Sequence, residues 1–143
     1  MVSAPLRARE RGIVIEETRR DRQGAYEGYI KLAVTAEGFS RDVAGTVFSD
    51  SRPRLIQIKG IDLEAEFAPH MLYVTNEDKP GFIGRLGTLL GDAGINIASF
   101  SLGRSAPGAD AIALIEIDGA VAEETLGSIR GLPLVRQAKA LVF

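Results

Sequence analysis

Residues 75–84 set the architecture of this chain, and they read Thr75-Asn76-Glu77-Asp78-Lys79-Pro80-Gly81-Phe82-Ile83-Gly84. An apolar strand runs into a polar turn, and the Pro-Gly pair then starts a helix. The helix ends in Ala93-Gly94-Ile95-Asn96-Ile97, where Gly94 stops it and a second strand begins next to Asn96. This order places backbone N–H groups, a carboxylate and a carboxamide around one small pocket. Such a pocket suits a zwitterionic amino acid better than it suits a reaction.

The second half of the chain predicts a ferredoxin-like unit. Strands are expected at residues 71–75, 95–102, 111–117 and 134–143, and helices at residues 80–93 and 121–130. The first helix should bury one apolar face, made of Ile83, Leu86, Leu90 and Ala93. The resulting order is βαββαβ, which packs two helices on one face of an antiparallel sheet.

The first half predicts a small and mainly antiparallel β segment. Its apolar runs are residues 12–15, 29–34, 45–48 and 55–58, and turn residues separate them. A short helix is expected to start at Ser3-Ala4-Pro5. Strands of this size form a thin core, so this half should pack on a part of the protein absent from this chain or on a second copy. The fold class is α+β, with a truncated first domain at residues 1–68 and a second domain at residues 69–143.

Composition narrows the class of protein. Of the 143 residues, 45% are hydrophobic and 25% are charged, as in a folded soluble protein, and the net charge is −2. The chain as a whole therefore has no excess of positive charge that would attract nucleic acid or an acidic membrane. The absence of Cys excludes a disulfide framework, a zinc ribbon and a thiol nucleophile. No apolar run reaches the ~20 residues of a membrane span, so we expect a cytoplasmic protein without membrane partners.

We interpret the basic opening of the chain, its arginine-rich first segment, as a solvent-exposed face. Acidic residues such as Glu10 and Glu17 interrupt it, and no aromatic stripe of the RNA-binding kind accompanies it. These charges also break any signal-peptide core. The arginines concerned are Arg7, Arg9, Arg11, Arg19, Arg20 and Arg22.

The turn and Asn96 form the candidate ligand site. The first N–H groups of a helix lack partners within it, so a ligand carboxylate there gains hydrogen bonds and the favourable end of the helix dipole. Gly81 leaves room for a ligand, Asp78 can accept from an ammonium, and Asn76 can bond a side-chain hydroxyl. Asn96 can donate to and accept from the same molecule. The alternative is structural: Asp78 caps the helix and Asn96 only fills the start of a strand. Spacing alone leaves both interpretations open.

Catalytic and metal-binding residues are not predicted. The single histidine, His70, has no partner His or Cys for a metal and no evident nucleophile nearby. Nothing in the sequence around Glu64 and Glu66 indicates that they act as a catalytic acid–base pair. Three glycines of the first helix favour close helix packing over a phosphate loop, and these are Gly84, Gly87 and Gly91.

The residues of the turn, with Gly94-Ile95-Asn96-Ile97, give the second half a resemblance to the ACT domain. This domain is the small-molecule regulatory module of amino-acid metabolism, and residues 70–143 match its length and element order. The first half is similar to part of the allosteric substrate-binding, or intervening, domain of D-3-phosphoglycerate dehydrogenases. The matching segments are Ala4-Pro5-Leu6, Glu10-Arg11-Gly12-Ile13, Gly45-Thr46-Val47-Phe48 and Ile56-Gln57-Ile58.

The resemblance implies the C-terminal regulatory region of an NAD-dependent enzyme of L-serine biosynthesis. In this family L-serine, the feedback inhibitor, lies between two ACT domains that join their sheet edges in a homodimer or higher oligomer. One subunit would supply Asn76, Asp78 and the backbone of Lys79, Pro80 and Gly81, and the other would supply Asn96. The catalytic domains that bind NAD are missing, so we expect a piece of a longer enzyme, with no cofactor of its own.

Some family members also hold an anion in a basic cluster. Arg54 matches that cluster, but Glu64 and Glu116 stand where further basic residues are expected, which argues against a phosphate-type effector here. Two alternatives to the dehydrogenase are retained. One is the regulatory segment of an iron–sulfur L-serine dehydratase, and the other is a purely oligomerising ACT module.

Overall fold

The structure, a computed structural model, describes residues 4–17 and 28–143. Arg19, Arg20 and Arg22 of the basic opening lie outside these ranges. Within them the chain forms two four-stranded antiparallel sheets and three helices. The first sheet follows helix α1 (Ala4–Glu10) and contains β1 (Ile30–Ala36), β2 (Phe39–Val47), β3 (Pro53–Ile58) and β4 (Ile61–Glu66). The second part contains β5 (His70–Glu77), α2 (Phe82–Asp92), β6 (Ile97–Arg104), β7 (Asp110–Ile117), α3 (Glu123–Arg130) and β8 (Val135–Val142).

The first sheet is a meander with the order β1-β2-β3-β4. Lys59 and Gly60 have φ values of 51° and 73°, as required of the two central residues of a tight hairpin turn. The predicted helix start near Pro5 and the predicted strands 29–34, 45–48 and 55–58 are confirmed, with shifted ends.

One strand prediction for the first half is wrong, and one strand was not predicted. Residues 12–15 form no strand and are exposed, because the N–H of Ile13 instead closes the end of α1 on the carbonyl of Ala8 at 2.9 Å. The fourth strand of the sheet is β4, in which Ile61, Leu63 and Ala65 are buried and the residues between them are exposed. This alternation is the period-2 pattern of a half-buried strand.

The second sheet confirms the βαββαβ prediction, with the strand order β6-β7-β5-β8. Helices α2 and α3 cover one face, where the core contains Leu72, Val74, Leu86, Leu90, Ile115 and Ile129. The opposite face meets β4 in a second core containing Leu63, Ala65, Met71 and Leu114. The first sheet is therefore partly covered by the second sheet of the same chain, which corrects the expectation that its cover comes from an absent part of the protein or from a second copy.

Helix α2 is rotated relative to its predicted phase. Ile83 is 53% exposed, whereas Phe82 is buried together with Leu86 and Leu90. The buried face thus repeats every four residues from Phe82, and Ala93 is also exposed. Close packing at the helix glycines is likewise not found among the described residues. A Cβ atom added to Gly84, Gly87 or Gly91 would have no neighbour within 4 Å.

The backbones of the two sheets approach closely at Gly103 in β6. A Cβ atom at this position would lie 2.3 Å from the carbonyl oxygen of Asp62 in β4 and 2.9 Å from Cγ2 of Ile61. Only glycine therefore permits this docking of β4. None of the helices in the described part of the chain has the length and apolar character needed to cross a membrane.

Candidate functional site

Helix α2 begins without a side-chain cap from the described residues. Its N-cap is Gly81, at φ 96° and ψ −14°, a conformation that glycine adopts readily and other residues adopt at a cost. A Cβ atom at Gly81 would meet nothing within 4 Å. The first N–H groups of α2 lack partners within the helix by geometry. This end of the helix is therefore open to an acceptor from outside.

Asp78 ties the turn to the β6–β7 hairpin and does not cap α2. Its Oδ2 accepts a hydrogen bond from Nη1 of Arg104 at 2.9 Å and one from the N–H of Gly108 at 3.2 Å. The N–H of Asp78 donates to the carbonyl of Ala109 at 2.8 Å. The Arg104 bond first, and then the Gly108 bond, hold the pKa of Asp78 below its ordinary value. The carboxylate is therefore ionised at neutral pH, and it can accept from a further cation.

Asn76 is almost fully buried, with 2% of its surface exposed. Its Nδ2 donates to the carbonyl of Glu77 at 2.8 Å, while Oδ1 is buried and has no partner among the described residues. A buried acceptor left without a donor costs about 1–3 kcal/mol. Asn76 is thus short of one hydrogen-bond donor.

Local ion pairs hold the middle of the turn. Nζ of Lys79 lies 2.7 Å from Oε2 of Glu77, and the N–H of Lys79 donates to the carbonyl of Glu77 at 2.9 Å. Arg136 of β8 approaches the other carboxylate oxygen of Glu77 at 3.6 Å. The hydrogen bond from Lys79 is the main reason that the pKa of Glu77 is lowered. The turn that contains the Lys79-Pro80-Gly81 backbone is therefore held by positive and negative side chains of the same chain.

Asn96 lies at the other end of the sheet from Asp78. Strands β5 and β6 both pair antiparallel with β7, so they run parallel to each other. Asp78 follows the end of β5 and contacts Arg104 at the end of β6, whereas Asn96 precedes the start of β6. At about 3.3 Å per residue, the eight residues of β6 separate them by roughly 25 Å. One chain does not bring these two predicted site residues together.

Asn96 itself is exposed and joins two loops. Its Nδ2 donates to Oδ2 of Asp118 at 2.9 Å, and its carbonyl accepts from the N–H of Asp118 at 3.2 Å. The side chain is therefore oriented within the chain and still accessible from solvent. In strand order β6 lies at an edge of the sheet.

Arg54 is enclosed by carboxylates. Its Nη2 lies 2.8 Å from Asp50 and 2.8 Å from Glu66, and its Nε lies 3.6 Å from Glu64. The guanidinium also stacks over the Phe48 ring, 4.6 Å from the centroid. Hydrogen bonding to Asp50 is the main cause of the raised pKa of Arg54. An added anion would meet three negative charges here, which agrees with the argument from Glu64 against an effector at Arg54.

Sequence reasoning missed the partners of the turn, namely Arg104, Gly108 and Arg136. A signal for the first two was present. Residues 107–108 mark the tip of a hairpin. Strand β7 runs back from that tip and pairs with β5, so that Glu77 lies opposite Asp110. The hairpin must therefore lie beside the turn that follows Glu77. No comparable local signal identifies Arg136, because β8 is joined to β5 only by the sheet topology.

Comparison with family models matches both halves of the chain. Residues 1–59 match the D-3-phosphoglycerate dehydrogenase intervening domain, and residues 70–134 match the ACT domain.

Three proteins similar to this chain are named D-3-phosphoglycerate dehydrogenase. The one from Archaeoglobus fulgidus is 37% identical over 128 residues, which are 88% of this chain and 24% of that protein. The one from Methanocaldococcus jannaschii is 29% identical over 143 residues, 99% of this chain and 26% of that protein. The one from Bacillus subtilis is 28% identical over 134 residues, 94% of this chain and 26% of that protein. The chain thus spans about a quarter of the length of these relatives.

Proposed function

We propose that this chain is the regulatory segment of a D-3-phosphoglycerate dehydrogenase and binds L-serine between two ACT domains. The proposal is supported by the matches of residues 1–59 to the intervening domain of that enzyme and of residues 70–134 to the ACT domain. The parent enzyme would use NAD, bound by catalytic domains outside this chain, in L-serine biosynthesis in the cytoplasm. Serine would act as its feedback inhibitor.

The roughly 25 Å between Asp78 and Asn96 carries the proposal of a site shared by two chains. A single small amino acid cannot touch both residues of one chain. Antiparallel pairing of β6 with β6 of a second copy brings the start of one strand beside the end of the other. Asn96 of one copy then lies near Asp78 of its partner, and the same symmetry creates two equivalent sites.

The chemistry of each half-site matches a different part of L-serine. The ligand carboxylate would accept from the open N–H groups at Gly81 and Phe82, where the helix dipole contributes about 0.3–1 kcal/mol. The ammonium would donate to Asp78, which is ionised at neutral pH. Asn96 of the partner chain would bond the hydroxyl and Asn76 would line the same turn. The backbone of Lys79 and Pro80 would complete the wall.

Regulation follows from where the ligand sits. A ligand that bridges two chains stabilises the arrangement in which both half-sites meet. The ligand shifts the population of oligomers toward that arrangement. The size of the shift is set by the difference between the ligand's affinities for this arrangement and for the one in which the half-sites do not meet. The catalytic domains joined to the intervening domain would sense this shift.

A mixing experiment tests the shared site. We would titrate L-serine by calorimetry into wild-type protein, Asp78→Asn, Asn96→Ala and an equimolar mixture of the two variants after subunit exchange. Each variant alone should bind weakly. In the mixture, half of the dimers carry one wild-type site, so about a quarter of all sites should recover wild-type affinity. A mixture that binds no better than its separate components contradicts the shared site, and D-serine serves as the ligand control.

The alternatives predict other results. All three relatives described above are named D-3-phosphoglycerate dehydrogenase, which favours this enzyme over an iron–sulfur L-serine dehydratase. A purely oligomerising module would give a folded dimer that releases no heat with L-serine.

A further inference from the structure

Asn96 and Asp118 lie opposite each other at one end of the second sheet. Strands β6 and β7 pair antiparallel with Ile97 opposite Ile117, so the residue before β6 faces the residue after β7. The carbonyl of Asn96 accepts from the N–H of Asp118 at 3.2 Å, and Nδ2 of Asn96 donates to Oδ2 of Asp118 at 2.9 Å. A main-chain bond and a side-chain bond therefore join the same two residues.

The backbone fixes the position of Asp118. The N–H of the next residue, Gly119, donates to the carbonyl of Ile117 at 3.0 Å. Gly119 has a φ of 108°, which glycine adopts more readily than any other residue. The chain therefore turns directly after Asp118, and this turn keeps the carboxylate beside the start of β6.

The bond to Asp118 gives the side-chain amide of Asn96 one orientation. An ionised carboxylate only accepts hydrogen bonds, whereas a carboxamide has a donor end and an acceptor end. Rotating the amide by half a turn would place Oδ1 of Asn96 against Oδ2 of Asp118, and two acceptors have no hydrogen to share. Nδ2 is therefore held toward Asp118, and Oδ1 occupies the other arm of the amide.

Oδ1 of Asn96 is available to a ligand. It has no hydrogen-bond donor within residues 4–17 and 28–143, and Asn96 is exposed. Strand β6 lies at an edge of the sheet. In the antiparallel pairing of two β6 strands proposed above, this end of β6 lies beside the turn of the second copy that contains Asp78. The free acceptor can then reach a ligand bound at that turn.

We propose that Asp118 is a positioning residue of the L-serine site, an inference that rests on the function proposed above. By holding Nδ2, Asp118 directs Oδ1 of Asn96 toward the ligand on the other chain, and the serine hydroxyl donates its hydrogen to Oδ1. The site thereby selects amino acids whose side chain carries a small hydrogen-bond donor. A ligand that has only an acceptor at this place leaves Oδ1 unpaired, which weakens its binding.

Two ligands test the direction of this hydrogen bond. O-methyl-L-serine keeps the side-chain oxygen of L-serine but lacks its hydrogen. In calorimetric titration of the 143-residue chain, L-serine should bind about ten-fold or more tightly than O-methyl-L-serine. The added methyl group occupies the same space in every variant. A change in the ratio of the two affinities therefore reports the hydrogen bond and not the size of the ligand.

Asp118→Asn keeps the size of the side chain but lets it accept or donate. Both orientations of the Asn96 amide are then allowed, and Nδ2 can donate to the ether oxygen of O-methyl-L-serine. We expect O-methyl-L-serine to gain affinity, so that the ratio falls by about five-fold. Asp92→Asn is the matched control, because it removes the same charge from the exposed last residue of α2, and it should leave the ratio unchanged.

The double variant Asn96→Asp with Asp118→Asn exchanges the two side chains. An acceptor again occupies position 96, and a donor at position 118 holds it, so the ratio should return to about its wild-type value.

The inference is overturned if Asp118→Asn weakens both ligands equally or leaves the ratio unchanged, as a purely structural bond predicts. It is also overturned if the double variant keeps the low ratio, or if the wild-type chain binds the two ligands alike. Each of these results leaves the L-serine site itself intact. A folded wild-type chain that binds neither ligand contradicts the L-serine site, and the role of Asp118 with it.

Discussion

Nη1 of Arg104 lies 2.9 Å from Oδ2 of Asp78, so the last residue of β6 holds the carboxylate that follows β5. This bond couples the candidate site to the hairpin beside it. It also explains why Asp78 leaves the N-terminus of α2 uncapped.

The Asp78–Arg104 bond predicts a pH dependence. Folding lowers the pKa of Asp78 from its ordinary value of 3.8. Its contribution to stability is therefore complete above that value and is lost as the pH falls through the lower folded pKa. Arg104→Gln should move the pKa of Asp78 upward, because only the Gly108 bond remains. Carboxyl NMR titration measures this shift. Arg85→Gln, on the exposed side of α2, should leave the pKa unchanged, and an unchanged pKa in Arg104→Gln would contradict the assignment.

Gly81→Ala separates ligand binding from backbone strain. Gly81 and Gly38 both have positive φ, 96° and 81°, and both have open space around a Cβ atom. Alanine at either position should lower the free energy of unfolding by about 1–2 kcal/mol, as measured by urea denaturation. Only Gly81→Ala should also weaken L-serine binding, since Gly38 lies in the turn between β1 and β2 of the first sheet. Equal affinities for L-serine in the two variants would argue against a ligand at the helix start.

Gly103→Ala tests the docking of the sheets. The added methyl would overlap the Asp62 carbonyl, and we expect a loss of about 1–3 kcal/mol in the free energy of unfolding. Gly84→Ala is the control, because its Cβ meets nothing and alanine favours a helix over glycine by about 1 kcal/mol. The two variants should thus shift the urea midpoint in opposite directions. A stabilised Gly103→Ala would refute the close approach.

Leu86→Ala tests the phase of α2. Leu86 has no exposed surface, whereas Ile83 is 53% exposed. Removing the Leu86 side chain should cost about 2–5 kcal/mol in the free energy of unfolding, while Ile83→Ala should cost about 0.5 kcal/mol or less. Thermal and urea unfolding of both variants at one protein concentration provide the comparison. Similar losses would restore the phase predicted from sequence.

Sequence patterns located the second half of the fold more accurately than the first. Pro80, Gly81 and Gly94 act through local backbone geometry, so the limits of α2 follow from residues a few positions apart. The run at residues 12–15 resembles a strand, but it pairs with no strand of residues 4–17 and 28–143, because Ile13 bonds back to α1. Strand β4 was not among the four predicted runs, although the alternation of its buried positions with Asp62, Glu64 and Glu66 is itself the signal of a half-buried strand.

The sequence predicts the chemical groups of the candidate site but not their arrangement. Asp78 and Asn96 were identified from chemistry, while their separation depends on the parallel course of β5 and β6, set by strand order. The alternative that Asp78 caps α2 was reasonable from spacing. Competition from Arg104, which is 26 residues away in the chain, is a long-range effect that local patterns do not contain.

The bare backbone at Gly103 has a consequence for comparing sequences. The Asp62 carbonyl occupies the space that a side chain at position 103 would fill. A relative with a larger residue at the aligned position must therefore place its β4 differently. A single column thus sorts relatives of unknown structure by how their intervening and ACT domains meet.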